Sequence, residues 1–273
     1  MKPVGFSLLL LISLQLSAQN LPADRQAPDT TSFKSFDDTK IYYEVAGKGY
    51  PVILVHGFLN TGDTWKKTAL YSDLTAAGYK VVTVDLRGNG RSGKPHNPEA
   101  YENDAEAMDL MVLADKIGAT KYTVVGYSRG AIIASRLLIL DKRVQSAVLG
   151  GMGSDFTNPE WPRRIMFYKA LSGESVPELE GLVKRVKDDP TLDQLALAYM
   201  QKAQPSTSRS EFGKLKKPVL VICGDKDEDN GSSKELAALI PKSTYKRVPG
   251  VHNDTHRSKD FSVEVLTFLK KNK

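Results

Sequence analysis

The sequence of 273 residues contains one cysteine, Cys223. A single thiol cannot close an internal disulfide, so stability has to come from the core even in an oxidising compartment. Cys223 also lies far from the N-terminus, which excludes a lipid anchor on a cysteine at a signal cleavage site. After residue 16 no stretch approaches the roughly 20 apolar residues that a membrane-spanning helix needs. Charge of one sign is not concentrated either: 38 Lys+Arg against 32 Asp+Glu leave +6, with small clusters at Lys214, Lys216 and Lys217 and at Lys270, Lys271 and Lys273. Without interleaved aromatics these read as solvated basic faces, and no nucleic-acid partner is expected. Internal repeats and low-complexity tracts are absent.

What is present begins with Lys2, an apolar run over residues 4–16, and then Ser17, Ala18 and Gln19. A positive start, an apolar centre and a small-residue cleavage site form the layout of a secretory signal peptide, here residues 1–18. Leu16 fits imperfectly at the third position before the cut, and an uncleaved anchor or a buried helix is the alternative. The expected destination is secreted or periplasmic. Residues 19–32 are polar, carry Pro22 and Pro28, and read as a disordered leader.

Short β-branched and aliphatic runs recur at residues 41–45, 52–55, 80–86, 121–127, 144–149, 218–223 and 244–248. Most have the continuous apolar character of strands buried on both faces. Helical patterns fill 68–77, 102–117, 131–140, 232–240 and 261–269, the second with Met108, Met111, Val112 and Ile117 along one face. Strands alternating with helices predict an α/β fold with a doubly wound, parallel sheet and right-handed crossovers. Residues 152–213 break the rhythm with helix-compatible segments separated by Pro159, Pro162, Pro177, Pro190 and Pro205. We read them as a helical insertion over the end of the sheet, in one core domain made of 33–151 and 214–273.

Gly126, Tyr127, Ser128, Arg129 and Gly130 form a Gly-x-Ser-x-Gly pattern between an apolar strand and a helix, the context in which two glycines permit a sharp turn that projects the serine. A serine hydroxyl needs an adjacent base, and the base needs a partner to fix its tautomer. Of His56, His96, His252 and His256, only the last two follow the serine in the required order, and His252 is better placed by the turn at Pro249, Gly250 and Val251. For the acid, Asp227 follows the strand 219–223, with Asp225 and Asp229 as alternatives. The run Asp225, Asp227, Asp229 resembles the start of a calcium loop, but Asn230 stands where glycine belongs and Leu236 where the bidentate glutamate belongs, so no metal is expected. The backbone N–H groups of Phe58 and Arg129 are candidates for an oxyanion hole. His56, preceding the serine, is expected to be structural. No cofactor is implied.

With these residues in this order, the chain resembles the α/β-hydrolase family, in its serine, esterase-like branch. The likeness rests on His56-Gly57-Phe58, on Asp85-Leu86-Arg87-Gly88-Asn89-Gly90-Arg91-Ser92, on the elbow at Ser128, on Gly224-Asp225-Lys226-Asp227 and on Gly250-Val251-His252. It runs from about residue 33 to 269 and implies a mostly parallel eight-stranded sheet flanked by helices, a lid after the sixth strand, and hydrolysis through an acyl-enzyme. Serine at the nucleophile position argues against epoxide hydrolase or haloalkane dehalogenase chemistry, which uses aspartate there. Arg129 departs from the small or aliphatic residue usual after the nucleophile, and either favours an acidic substrate or pairs with a carboxylate. Trp161, Phe156, Phe167 and Tyr168 either line the pocket or pack in the core. The expected substrate is a small-molecule ester, thioester or lactone. Two alternatives remain: a prolyl aminopeptidase-like peptidase, with Glu174, Glu178 and Glu180 holding the substrate amine, and a catalytically silent ligand-binding protein.

Overall fold

The computed structural model describes Met1 and residues 31–272, so the expected signal peptide after Met1 and all but the end of the expected leader lie outside the described residues. The strands are β1 (Ser32–Lys34), β2 (Lys40–Ala46), β3 (Pro51–Val55), β4 (Lys80–Asp85), β5 (Tyr122–Tyr127), β6 (Val144–Gly150), β7 (Val219–Gly224) and β8 (Ser243–Val248). They form one eight-stranded sheet in the order β1-β2-β4-β3-β5-β6-β7-β8. The pairs β1/β2 and β2/β4 are antiparallel and the rest parallel. β1 escaped the sequence analysis because it is three residues long, and Ser32, placed in the leader, already pairs with Tyr42.

Side chains alternate across the sheet, so each central strand feeds two cores. Ile53 and Val55 of β3 enter one, with residues of α3 (Ala105–Lys116), α4 (Arg129–Leu140) and α9 (Ser233–Ala238). Val52 and Leu54 enter the other, with α2 (Ala69–Ala76), α10 (Lys259–Lys271) and Trp65 of the short α1 (Asp63–Lys66). Burying both faces accounts for the near-continuous apolar strands, since each fully buried aliphatic side chain contributes about 1.5–3 kcal/mol.

In α3 the apolar residues noted along one face are not the most deeply buried ones, although Met111, Val112 and Ile117 do pack against the core. Met108, Met111, Val112 and Ile117 are half-buried, whereas Ala107, Leu110, Leu113 and Ala114 are fully buried beside two carboxylates, Glu106 and Asp109. Each carboxylate is matched by a buried arginine: Arg129 bonds Glu106, and Arg87 bonds Asp109 through Nε at 2.7 Å and Nη2 at 2.6 Å. Two acidic letters on the most buried face keep it from reading as a continuous apolar stripe. The helix also starts three residues later than predicted, because Asn103 and Asp104 have φ of 55° and 63°.

Between β6 and β7 lie α5 (Pro162–Leu171), α6 (Glu180–Asp188), α7 (Gln194–Lys202) and α8 (Arg209–Gly213). α5 packs on α7, and Leu171, Val186, Leu197 and Met200 form a third core with Tyr101. Phe167 of α5 meets Phe58 edge-on, ring centroids 5.6 Å apart, which sets this segment against the loop that follows β3. Among the described residues no helix is long and apolar enough to cross a membrane.

Candidate active site

The carboxyl ends of β3, β5, β7 and β8 converge on one cleft, and each contributes through the loop that follows it. β5 ends at Tyr127 and α4 begins at Arg129, leaving Ser128 alone at the turn with φ 55° and ψ −127°. A non-glycine residue in such a conformation costs about 1–3 kcal/mol and persists only where its surroundings enforce it. The enforcement is visible here. Ser128 N–H donates to Gly150 O at 2.8 Å, Ala131 N–H donates to Ser128 O at 2.8 Å, and the flanking glycines leave no room for side chains. A Cβ on Gly126 would stand 2.1 Å from Gly130 O, and one on Gly130 would stand 2.2 Å from Val55 O.

Ser128 Oγ is 2.9 Å from His252 Nε2, and His252 Nδ1 is 3.1 and 3.0 Å from the two carboxylate oxygens of Asp227. An ionised carboxylate can only accept, so the ring proton belongs on Nδ1, which leaves the Nε2 lone pair facing the serine hydroxyl. The Asp227 side chain is 3 % exposed and the His252 side chain 16 %. Tyr127, beside the nucleophile in sequence, donates its phenol to His252 O at 2.7 Å and so fixes the histidine loop to the elbow. Burial, with Asp227 nearby, pushes the Tyr127 phenol well above its ordinary pKa, so it stays a donor.

The alternatives sort by position. Asp225 accepts from Gly250 N–H at 3.0 Å and braces the loop that carries His252. Asp229 stands close to the pair: an oxygen of its carboxylate lies within 4.8 Å of a ligand atom of Asp227 and of His252. These three are the one group among the described residues with metal-ligand spacing, and a cation there would compete for the atoms that join histidine to acid. His256 makes no hydrogen bond to Ser128. It is buried against Tyr127, ring centroids 4.6 Å apart, and against Trp65 at 5.9 Å. His56 is buried too: its Nε2 accepts from Leu86 N–H at 3.0 Å, and burial holds its pKa below the ordinary histidine value.

The N–H groups of Phe58 and Arg129 have no hydrogen-bond partner among the described residues. Arg129 opens α4, where a backbone N–H has no intrahelical acceptor. The loop carrying Phe58 is close, since a Cβ on Gly57 would sit 3.2 Å from Ser128 Cβ. The Arg129 side chain turns to Glu106, with bonds of 2.7 and 2.5 Å, and to Met200 O at 3.2 Å. The pairing expectation therefore describes it, and its charge is already matched.

Two cavities meet at Ser128, His252, Phe58 and Asn253. One, about 200 Å³, has apolar walls from Ile132, Met152, Trp161, Phe167 and Leu182, and polar walls from Arg129, Arg163, Arg164, Gln201 and Gln204. Phe156 does not reach it and packs edge-on against Phe212, and Tyr168 belongs to the third core. The other, about 330 Å³, is polar and was not anticipated from the sequence; its walls include Asn60, Trp65, Arg185, His256 and Arg257. Glu174, Glu178 and Glu180 line neither. The named walls of the polar cavity come from three separate segments, and nothing in their local patterns sets them apart.

Comparison with known proteins places these features in context. A family model described as alpha/beta hydrolase fold matches residues 50–184. A putative non-heme chloroperoxidase of Synechocystis sp. is 36% identical over 156 residues, 55% of this chain and 51% of that protein. An epoxide hydrolase of Siraitia grosvenorii is 36% identical over 95 residues, 35% and 29% of the two chains. The matches thus span about half or less of these curated relatives. Among solved structures, a bromoperoxidase from Bacillus anthracis has a TM-score of 0.72 at 25% identity, covering 88% of this chain and 99% of the other. An esterase from Rhodococcus sp. ECU1013 has a TM-score of 0.67 at 26% identity, covering 89% and 98%.

Proposed function

The chain belongs to the α/β-hydrolase fold family, and on that premise we propose that it is a serine hydrolase cleaving a carboxylic ester, thioester or lactone through an acyl-enzyme on Ser128. The observation that carries the reading is the chain of contacts from Ser128 Oγ through His252 to Asp227. His252 Nε2 takes the hydroxyl proton as Oγ attacks the acyl carbon, and Asp227 stabilises the imidazolium that results. The N–H groups of Phe58 and Arg129 receive the developing oxyanion, and one such donor is worth about 3–4 kcal/mol. His252 then protonates the leaving alcohol, and water activated by the same nitrogen releases the acid. The α5–α8 segment serves as the lid, since Trp161, Phe167 and Leu182 wall the apolar cavity.

Serine also separates this chemistry from that named for the epoxide hydrolase relatives. A carboxylate that opens an epoxide forms an ester that water can cleave, whereas a serine would form an ether that this machinery cannot. The peptidase alternative loses support, because the carboxylates it requires lie outside both cavities. A second reading draws on the chloroperoxidase relative: hydrogen peroxide in place of water at the acyl-enzyme would release a peroxy acid able to oxidise halide. Export remains part of the proposal, supported by the layout of residues 1–18, and N-terminal sequencing of the mature protein checks it.

The test is fluorophosphonate labelling beside turnover of short and medium p-nitrophenyl esters. Labelling and turnover that both vanish in Ser128→Ala support a serine hydrolase. A folded wild-type protein that does not label returns the chain to the silent binding-protein alternative.

A further inference from the structure

The polar cavity has more unmet hydrogen-bonding capacity than the proposed chemistry uses. Trp65 is 1% exposed, yet its indole N–H has no partner, and His256, 7% exposed, has none at Nδ1. Both residues wall the cavity beside Ser128. An indole N–H can only donate, so an unmet donor lies just behind the cavity surface, where an incoming acceptor reaches it if the wall yields.

Charge gives the acceptor its sign. Arg185 of α6 and Arg257, which follows His256, also wall the cavity, and neither guanidinium has an ion-pair partner among the described residues. Arg87, Arg91, Arg129, Arg136 and Arg143 meet carboxylates, so the cations that wall this cavity are among those left free to meet an incoming anion. No Asp or Glu lines the cavity. Asp189 and Asp254 feel Arg185 and His256 respectively, but both stand outside the wall. Burial, reinforced by Arg257 and His252, holds His256 down at about 4, against a smaller opposing effect of Asp254. The histidine is therefore neutral near pH 7, and the positive charge belongs to the arginines.

We infer that this cavity is a subsite for an anionic group, a carboxylate or a comparable oxyanion, carried by the substrate next to its scissile ester, with Arg185 and Arg257 supplying the charge that holds it. The inference rests on the serine hydrolase reading for the word substrate, and on the cavity alone for the anion. It makes α6 a determinant of specificity, because Arg185 is the cavity's charged contribution from the insertion. The anion can belong to the acyl part or to the leaving alcohol, and these are separate arms of the test.

The experiment compares kcat/KM for p-nitrophenyl hemiglutarate with p-nitrophenyl valerate, and for 4-carboxyphenyl valerate with phenyl valerate. One anionic ester should exceed its neutral partner on the order of tenfold, mainly through KM, and added salt should shrink the ratio. The pair that shows it assigns the anion to acyl part or alcohol. Arg185→Gln with Arg257→Gln should bring the ratio to about one, while Arg185→Lys with Arg257→Lys should restore much of it. Neutral esters preferred in both pairs, or a ratio unmoved by the double Gln variant, overturns the inference. Calorimetry of glutarate against glutaramide on Ser128→Ala separates the two readings. Selective glutarate binding supports the anion site even if no ester turns over, and equal or absent binding overturns it even if neutral esters are cleaved.

Discussion

Along β3, β5 and β7 nearly every side chain is buried, whereas α6 of the insertion buries one residue of its nine, Val186. The sheet holds Ser128, His252 and Asp227 at hydrogen-bond distance on short loops whose strands cannot shift without opening two cores. The insertion presents exposed cations on a helix held by one small cluster. On the proposed chemistry, the division gives bond-breaking to the rigid element and choice of substrate to the softer one.

The sharpest way to break the comparison is at the sheet. Ser128→Ala should lower kcat on the order of 10⁶-fold, read with the best ester. Ser128→Gly should do the same while raising stability by about 1 kcal/mol, since glycine relieves the left-handed φ; chemical denaturation reads the gain. Asp227→Asn should cost about 10⁴-fold in kcat through the wrong histidine tautomer. Glu106→Gln strands the Arg129 charge in a site where both side chains are about 5% exposed, and should destabilise the fold by about 3–5 kcal/mol, whereas Arg129→Met with Glu106→Leu should come much closer to wild type.

Weaker still is the effect of pH through His256, whose folded value of about 4 lies below the ordinary 6.5. Between these values the unfolded chain binds a proton that the native protein refuses, so stability is full above pH 6.5 and falls toward pH 4. The loss is about 3 kcal/mol at most, and His256→Gln should flatten that part of the unfolding profile. The smallest effect belongs to the insertion: Lys184→Ala removes an exposed pair with Asp188 on α6 and should shift the melting temperature hardly at all, for about 0.3–0.5 kcal/mol.

The same division governed what the sequence disclosed. Strands buried on two faces are written as runs of valine and isoleucine, and the elbow needs its glycines wherever it occurs, so β3 to β7 and the turn at Ser128 could be placed from local pattern. The inner face of α3 could not, because its buried acids find their arginines 22 and 23 residues away. Asp227 could be preferred over Asp229 only by where a strand ends; the distances to His252 are a property of the folded loop. The polar cavity was invisible for a related reason. Trp65, Arg185 and Arg257 are ordinary in their own segments and become a site only when the α1 region, α6 and the histidine loop meet.

The arginine after the nucleophile has a consequence for anyone who wishes to redesign this pocket. By sequence it is the obvious residue to vary, since it lines the apolar cavity and stands next to the serine. Yet its guanidinium joins three helices, holding the start of α4 to Glu106 of α3 and to Met200 O of α7. A mutant library at Arg129 would mostly sample misfolded protein, with altered selectivity hidden beneath it. Arg163, exposed at the rim of the same cavity and resting on the Phe167 ring, offers a change of charge without a rebuilt scaffold.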